Sequence, residues 1–147
     1  WSPVFEKMFT SNFKEKHQEE IPLPGKKATE IQEMLLVMYS EEKKVTNKTV
    51  FFLLELADEY EMKKLRSLCE KCLIEHTTKV KAIEFLVLAQ KYKLEQLADV
   101  CFKRGAELCL AEIHYNKNYG LLDLSYQLKL AEKRIEHLET KYNIRYW

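Results

Sequence analysis

The chain has 147 residues, 46% hydrophobic and 32% charged, and its 24 basic and 23 acidic side chains leave a formal charge of +1. That length fits one domain of ordinary size, or a domain with a helical extension, and argues against separate catalytic and regulatory domains. The charges alternate in sign, so no basic stripe can neutralise a run of phosphates. No apolar run approaches the ~18 residues of a spanning helix. Nucleic acid and membrane are set aside as partners. Three glycines and three prolines imply long helices with short joints, hence a mainly α class. Four cysteines within helical patterns, and a start without a charged leader and apolar run, point to a reducing cytoplasmic or nuclear setting.

In chain order, "SPVFEKMFT" places Ser2 as an N-cap and Pro3 at the first helical position, with Val4, Phe5, Met8 and Phe9 on one face. A polar stretch over 11–18 leads to "EEIPLPG", where Ile21 and Leu23 alternate with proline as a strand candidate before a Pro24-Gly25 turn. A lone strand needs paired neighbours, and the apolar opening "WSPVFEKMF" suggests that the chain begins inside a domain. Helix returns at "ATEIQEMLLVMYS", capped by Thr29, with Ile31, Leu35 and Met38 as its stripe and Met34 and Leu36 widening it.

Thr46 or Asn47 then caps a helix bearing Phe51, Leu54, Ala57 and Tyr60, followed through "EMKK" by one bearing Leu65, Leu68, Cys69 and Leu73. The pattern returns 32 positions later. Thr77 or Thr78 opens a helix with Ile83, Leu86, Ala89 and Tyr92, and "KLEQ" joins it to one with Leu97, Val100, Cys101 and Leu108. A hairpin of this size cannot bury its own apolar face, so two copies are expected to stack. After "HYNKNYG", Leu121, Leu124, Leu128, Ala131, Ile135, Leu138 and Tyr142 form a heptad seam. Packing of this helix on its own domain is the first reading, and oligomerisation through Leu121, Leu124, Leu128, Ile135 and Leu138 the second.

Other chemistry is thinly supported. Cys69, Cys72 and His76 have a zinc-like spacing without a fourth ligand, and their shared helix face suits core packing better. His17, His114 and His137 are scattered and read as solvated, and no phosphate loop is present. Tyr39, Tyr60 and Tyr92 are expected to close cores at helix ends. No catalytic residue, metal, cofactor or small-molecule substrate is expected, and the chain is read as not an enzyme.

Taken together, "SPVFEKMFTSNFKE", "EEIPLPGKKATEIQEMLLVMYS" and "VFFLLELADEYEMKKLRSLCEKCL" resemble, in order, the second helix, a later strand with its helix, and the closing helix pair of the BTB/POZ family. Residues 79–109 resemble the 3-box or BACK-like hairpin that follows in speckle-type POZ proteins. The resemblance implies a BTB/POZ-like α+β domain lacking its first strands over 1–76, a 3-box-like hairpin over 77–114 and a C-terminal helix over 115–147. Its implied function is a protein-protein interaction module serving as an adaptor of a cullin-3 ubiquitin ligase. The alternative is a self-associating helical scaffold. A homodimer is open, because the elements that build the family's usual dimer have no counterpart here. Met38, Tyr39, Val45 and Asn47 are the implied partner-binding residues, with Asn47 standing where many members have glutamate.

Overall fold

The computed structural model describes residues 1–10, 22–40 and 42–143. They form eight α-helices and one 3-10 turn, and no strand occurs among them. The chain divides into two compact units, Trp1–Cys72 and Leu73–Trp147. His17 and Ile21 lie outside the described residues. The strand expected at Ile21 and Leu23 is not present in its described part: Pro22 and Leu23 lead directly into a turn. In that turn Gly25 takes φ 76° and the Lys26 N–H reaches the Leu23 carbonyl at 3.3 Å, the left-handed geometry a Pro-Gly pair favours.

In the first unit, α1 (Pro3–Thr10) starts as its residues require. Ser2 Oγ accepts the Phe5 N–H at 3.1 Å and donates to the Tyr60 carbonyl at 2.6 Å, so one hydroxyl caps α1 and ties it to the end of α3. Phe5 stacks on the Tyr60 ring at 4.5 Å. Val4, Phe5 and Met8 are half-buried, whereas Phe9 is exposed.

Helix α2 (Ala28–Tyr39) begins one residue ahead of the expected cap, with Lys27 at the cap position and Thr29 inside the first turn. Its buried face is Met34, Val37 and Met38. Leu35 and Leu36, expected in the stripe, are exposed. Five apolar residues in succession satisfy more than one helical face, and packing against α3 selects the Met34 side.

The two repeats agree in detail. In the first, Thr46 Oγ1 accepts the Thr49 N–H at 3.3 Å and starts the turn into α3 (Val50–Glu59). In the second, Thr78 Oγ1 accepts the Lys81 N–H at 3.4 Å ahead of α5 (Ala82–Tyr92). Each first helix ends on a left-handed residue, Glu61 at φ 50° and Lys93 at φ 53°. The next N–H then turns back to the alanine carbonyl, Met62 to Ala57 at 2.7 Å and Leu94 to Ala89 at 2.9 Å. These C-terminal turns set the angle at which α4 (Lys63–Glu75) and α6 (Glu95–Gly105) return. The burial matches too: Leu54 and Leu86, Ala57 and Ala89, Tyr60 and Tyr92, Met62 and Leu94, Leu65 and Leu97, and Cys69 and Cys101 are all buried. Phe51 and Leu68 depart from expectation as exposed residues, and Leu53 takes the inward place on α3.

In the second unit, α6 stops at Gly105, so Leu108 is buried from a loop and not from the helix. A short α7 (Leu110–His114) is held by a capping box. Glu112 accepts the Cys109 N–H at 2.6 Å, and Cys109 Sγ accepts the Glu112 N–H at 3.4 Å. The 3-10 turn Tyr119–Leu121 is fixed to α5 by Gln90, whose amide oxygen accepts the Asp123 N–H at 2.8 Å. Asp123 then caps α8 (Leu124–Tyr142) through the Tyr126 N–H at 2.9 Å. α8 packs on α6 through Leu130, which sits where a Cβ on Gly105 would come within 2.8 Å of it, and through Tyr126, 5.3 Å from the Phe102 ring. The heptad seam is not the packed face. Leu124, Leu128, Ile135 and Tyr142 are exposed, Leu138 is half-buried, and Leu121 lies in the 3-10 turn.

Candidate protein-interaction surface

The residues singled out for partner binding all belong to the first unit, where α2 ends and α3 begins. Helix α2 closes with the Ser40 N–H on the Leu36 carbonyl at 2.9 Å, and Ser40 turns extended. Tyr39, the last helical residue, is left 74% exposed. This corrects the expectation that it closes a core; Tyr60 and Tyr92, at 6% and 5%, do so. Burial raises the pKa of the Tyr60 phenol, and the carboxylate of Glu59 adds to the effect.

Beyond α2, Lys43 pairs with Glu33 at 3.1 Å, which draws the connecting segment back along the helix. Val45 is half-buried, and Thr46 and Thr49 share reciprocal bonds that include Thr46 N–H to Thr49 Oγ1 at 3.0 Å. The cap expected at Thr46 or Asn47 falls instead on Thr49, which makes no side-chain cap bond; the Thr46–Thr49 pair holds the turn before the helix, and the Asn47 side chain is exposed. Met38 differs from the other three: it is 9% exposed and packs inward. Sequence reasoning missed Leu35 and Leu36, which face outward one turn before Tyr39. The excess of apolar residues over what one buried stripe can use was the available signal.

On the same unit, Leu23, Lys26, Ala28, Ile31, Gln32 and Leu35 line a groove of about 390 Å³. Lys26 makes a close ion pair with Glu59, and that hydrogen bond raises its pKa. A second groove of about 640 Å³ includes Trp1, Glu6, Glu61 and Lys64, with Lys64 Nζ placed 4.3 Å from the centre of the Trp1 ring. Both are shallow mixtures of apolar and charged side chains, suited to another protein's side chains more than to enclosing a small molecule.

The remaining chemical candidates do not gather. Cys69 and Cys72 are buried and His76 is exposed, and among the described residues no three His, Cys, Asp or Glu side chains are grouped to hold a metal ion. Burial pushes the Cys69 and Cys101 thiols up to about 12, which keeps them protonated and poorly nucleophilic at neutral pH. The Thr77 hydroxyl beside Cys101 lowers its value in part. His114 is exposed and His137 half-buried. No described helix is long and apolar enough to cross a membrane.

Comparison with known proteins identifies the family of the first unit. Residues 1–77 match the family model of the BTB/POZ domain. The chain is 35% identical over 108 residues to BTB and MATH domain-containing protein 38 of Caenorhabditis elegans, a match covering 74% of the chain and 28% of that protein. It is 30% identical over 139 residues to BTB and MATH domain-containing protein 36 of the same organism, covering 94% of the chain and 43% of the relative. It is 33% identical over 103 residues to protein 15 of that group, covering 70% and 37%. The matches thus span less than half the length of each relative.

Proposed function

The chain belongs to the BTB/POZ domain family, whose members are protein-interaction modules, and from that premise we propose that it is an adaptor for a cullin-3 type ubiquitin ligase. Its mechanism is docking without chemistry. The observation that carries the proposal is the exposed apolar group at the end of α2, Tyr39 at 74%, Leu35 at 43% and Leu36 at 42%, with the half-buried Val45 in the segment that follows. Such side chains at a helix end supply anchors for the apolar face of a partner helix, and a tyrosine contributes area at small cost in conformational entropy.

In this reading Asn47 sits at the rim of the contact, where an amide replaces the glutamate common in the family and weakens attraction to a basic partner. In the same reading the hairpin of α5 and α6 serves as a 3-box-like extension, as the resemblance to speckle-type POZ proteins implies. Substrate choice falls to a further domain, consistent with the MATH domain that the relatives' names place beside BTB. The setting is cytoplasmic or nuclear.

Co-purification with the amino-terminal domain of cullin-3 tests the proposal. Retention of that domain by the wild type, and its loss from Tyr39→Ala at equal thermal stability, is the expected result. Equal retention by both proteins removes the surface from the account, and no retention by either removes the ligase.

A further inference from the structure

The segment joining α2 to α3 carries a hydroxyl that the docking reading leaves unused. Thr46 is exposed, and residues 43–46 belong to no helix or strand. Lys43 and Lys44 stand three and two residues before it. Among the described residues, Thr46 and Thr78 are the exposed serine or threonine side chains outside helices. They are equivalent in the repeat, 32 positions apart, and each Oγ1 accepts the N–H three residues on, that of Thr49 at 3.3 Å and of Lys81 at 3.4 Å. What precedes them differs. Glu75 and His76 stand before Thr78 where Thr46 has its two lysines. Ser67 follows Lys64 by three residues and is exposed, but it lies inside α4.

We propose that Thr46 is the acceptor of a protein kinase that selects cations ahead of the hydroxyl, and that its phosphate changes the charge of the docking surface. A kinase cleft lined by carboxylates pairs with lysines before the acceptor and is repelled by a glutamate there, so it takes Thr46 and refuses Thr78 on like backbone geometry. A helix keeps Ser67 from the extended form that such a cleft binds. Lys43 pairs with Glu33 at 3.1 Å, but 42% of its side chain is exposed, and a surface ion pair of this kind opens at little cost. In the transfer Thr46 Oγ1 bonds to the γ-phosphorus of magnesium-bound ATP as the bond to the bridging oxygen breaks. ADP leaves, and the hydroxyl proton passes to the base of the kinase.

The turn can hold the product. Thr46 Oγ1 stands 3.1 Å from Thr49 Oγ1 and accepts the Thr49 N–H. After transfer the phosphate oxygens can accept from both Thr49 groups, while the Thr46 N–H keeps its 3.0 Å bond to Thr49 Oγ1. The added charge, about −1.5 to −2, also meets the positive end of α3. It falls between Val45 and Asn47, both assigned to the docking surface. This second step rests on the docking reading: phosphothreonine supplies the negative charge that the Asn47 amide lacks, and strengthens attraction to a basic partner.

The test incubates the whole chain with ATP, magnesium and the catalytic subunit of cyclic-AMP-dependent protein kinase, and maps the phosphate by mass spectrometry. Thr46 should be labelled and Thr78 and Ser67 left bare. Labelling of Lys44→Glu, whose hydroxyl is intact, should be at least ~10-fold slower, with circular dichroism to show that the variant is folded. No phosphate at Thr46, equal labelling of Thr78 or Ser67, or an unchanged rate for Lys44→Glu would each overturn the site. Titration of the cullin-3 amino-terminal domain then compares the two forms, and the phosphorylated chain should bind about tenfold more tightly. Equal or weaker binding overturns the charge effect and leaves the docking surface standing. If neither form binds, the docking reading falls and takes the charge effect with it, while the labelling still decides the site.

Discussion

Replacing Ser2 by alanine removes two bonds with one atom, and its cost follows from the geometry. The hydroxyl accepts the Phe5 N–H at 3.1 Å, which is an N-cap worth about 1 kcal/mol. It also donates at 2.6 Å to the carbonyl of Tyr60, 58 residues away, from a site where Ser2 is 9% exposed. Loss of a buried bond that leaves an acceptor behind costs about 1–2 kcal/mol more. The sum, ~2–3 kcal/mol, corresponds to a fall of about 5–10 °C in Tm for a chain of this size. Thermal unfolding followed at 222 nm measures it, with two further variants to divide the terms. Ser2→Thr keeps both bonds and should lose less than ~1 kcal/mol. Ser2→Asp keeps the cap but, ionised, turns an acceptor towards the Tyr60 carbonyl, and should be no more stable than alanine. Should Ser2→Ala lose less than ~0.5 kcal/mol, or Ser2→Asp match the wild type, the bond to Tyr60 does not hold α1 in place.

Glu61→Gly and Lys93→Gly should each stabilise the fold by about 0.5 kcal/mol in urea denaturation, since relief of a left-handed side chain slightly exceeds the entropy glycine loses. Opposite signs at the two positions would contradict the equivalence of the two hairpins. Ellman's reagent should titrate the exposed Cys109 at once in native protein, with Cys69 and Cys101 reacting only on unfolding. Burial holds the folded pKa values of those two thiols at about 12, above the ordinary 9.0, so their contribution is complete below pH 9. It is lost as pH rises from there towards 12, and stability should fall over that range. Asp123→Ala should lower the melting temperature by removing the α8 cap. The backbone N–H of Tyr126, with the Ser125 hydroxyl, lowers the Asp123 pKa from its ordinary 3.8, so the cap should persist above that pH and weaken as acid protonates it.

How far the sequence discloses this architecture differs by element. The hairpin repeat is plain, because its signal is joint: an alanine, a tyrosine, a leucine and a cysteine recur at one offset, and all are buried in both copies. The faces of α2 and α8 are not plain. Periodicity counts apolar residues but cannot choose between two stripes on one helix, and in α8 the choice is made by Gly105 on another helix, whose missing side chain admits Leu130. That glycine falls 32 positions after Leu73 in the first repeat, and the departure from register was the clue. The surface proposed for docking was legible only in its exposure. Tyr39, Val45 and Asn47 are at or near the surface, but Met38 is core, and Leu35 and Leu36 emerge only once the orientation of α2 is fixed. The strand at Leu23 failed because alternation between two prolines suits an extended turn as well as a sheet edge.

Calorimetric titration of the cullin-3 amino-terminal domain into this chain, with Tyr39→Ala and Asn47→Glu alongside, tests most directly whether the protein works by docking through the end of α2. The account predicts saturable binding with one partner per chain, at least ~10-fold weaker for Tyr39→Ala and stronger for Asn47→Glu. Absence of binding by the wild type, or equal affinity across all three proteins, would contradict it.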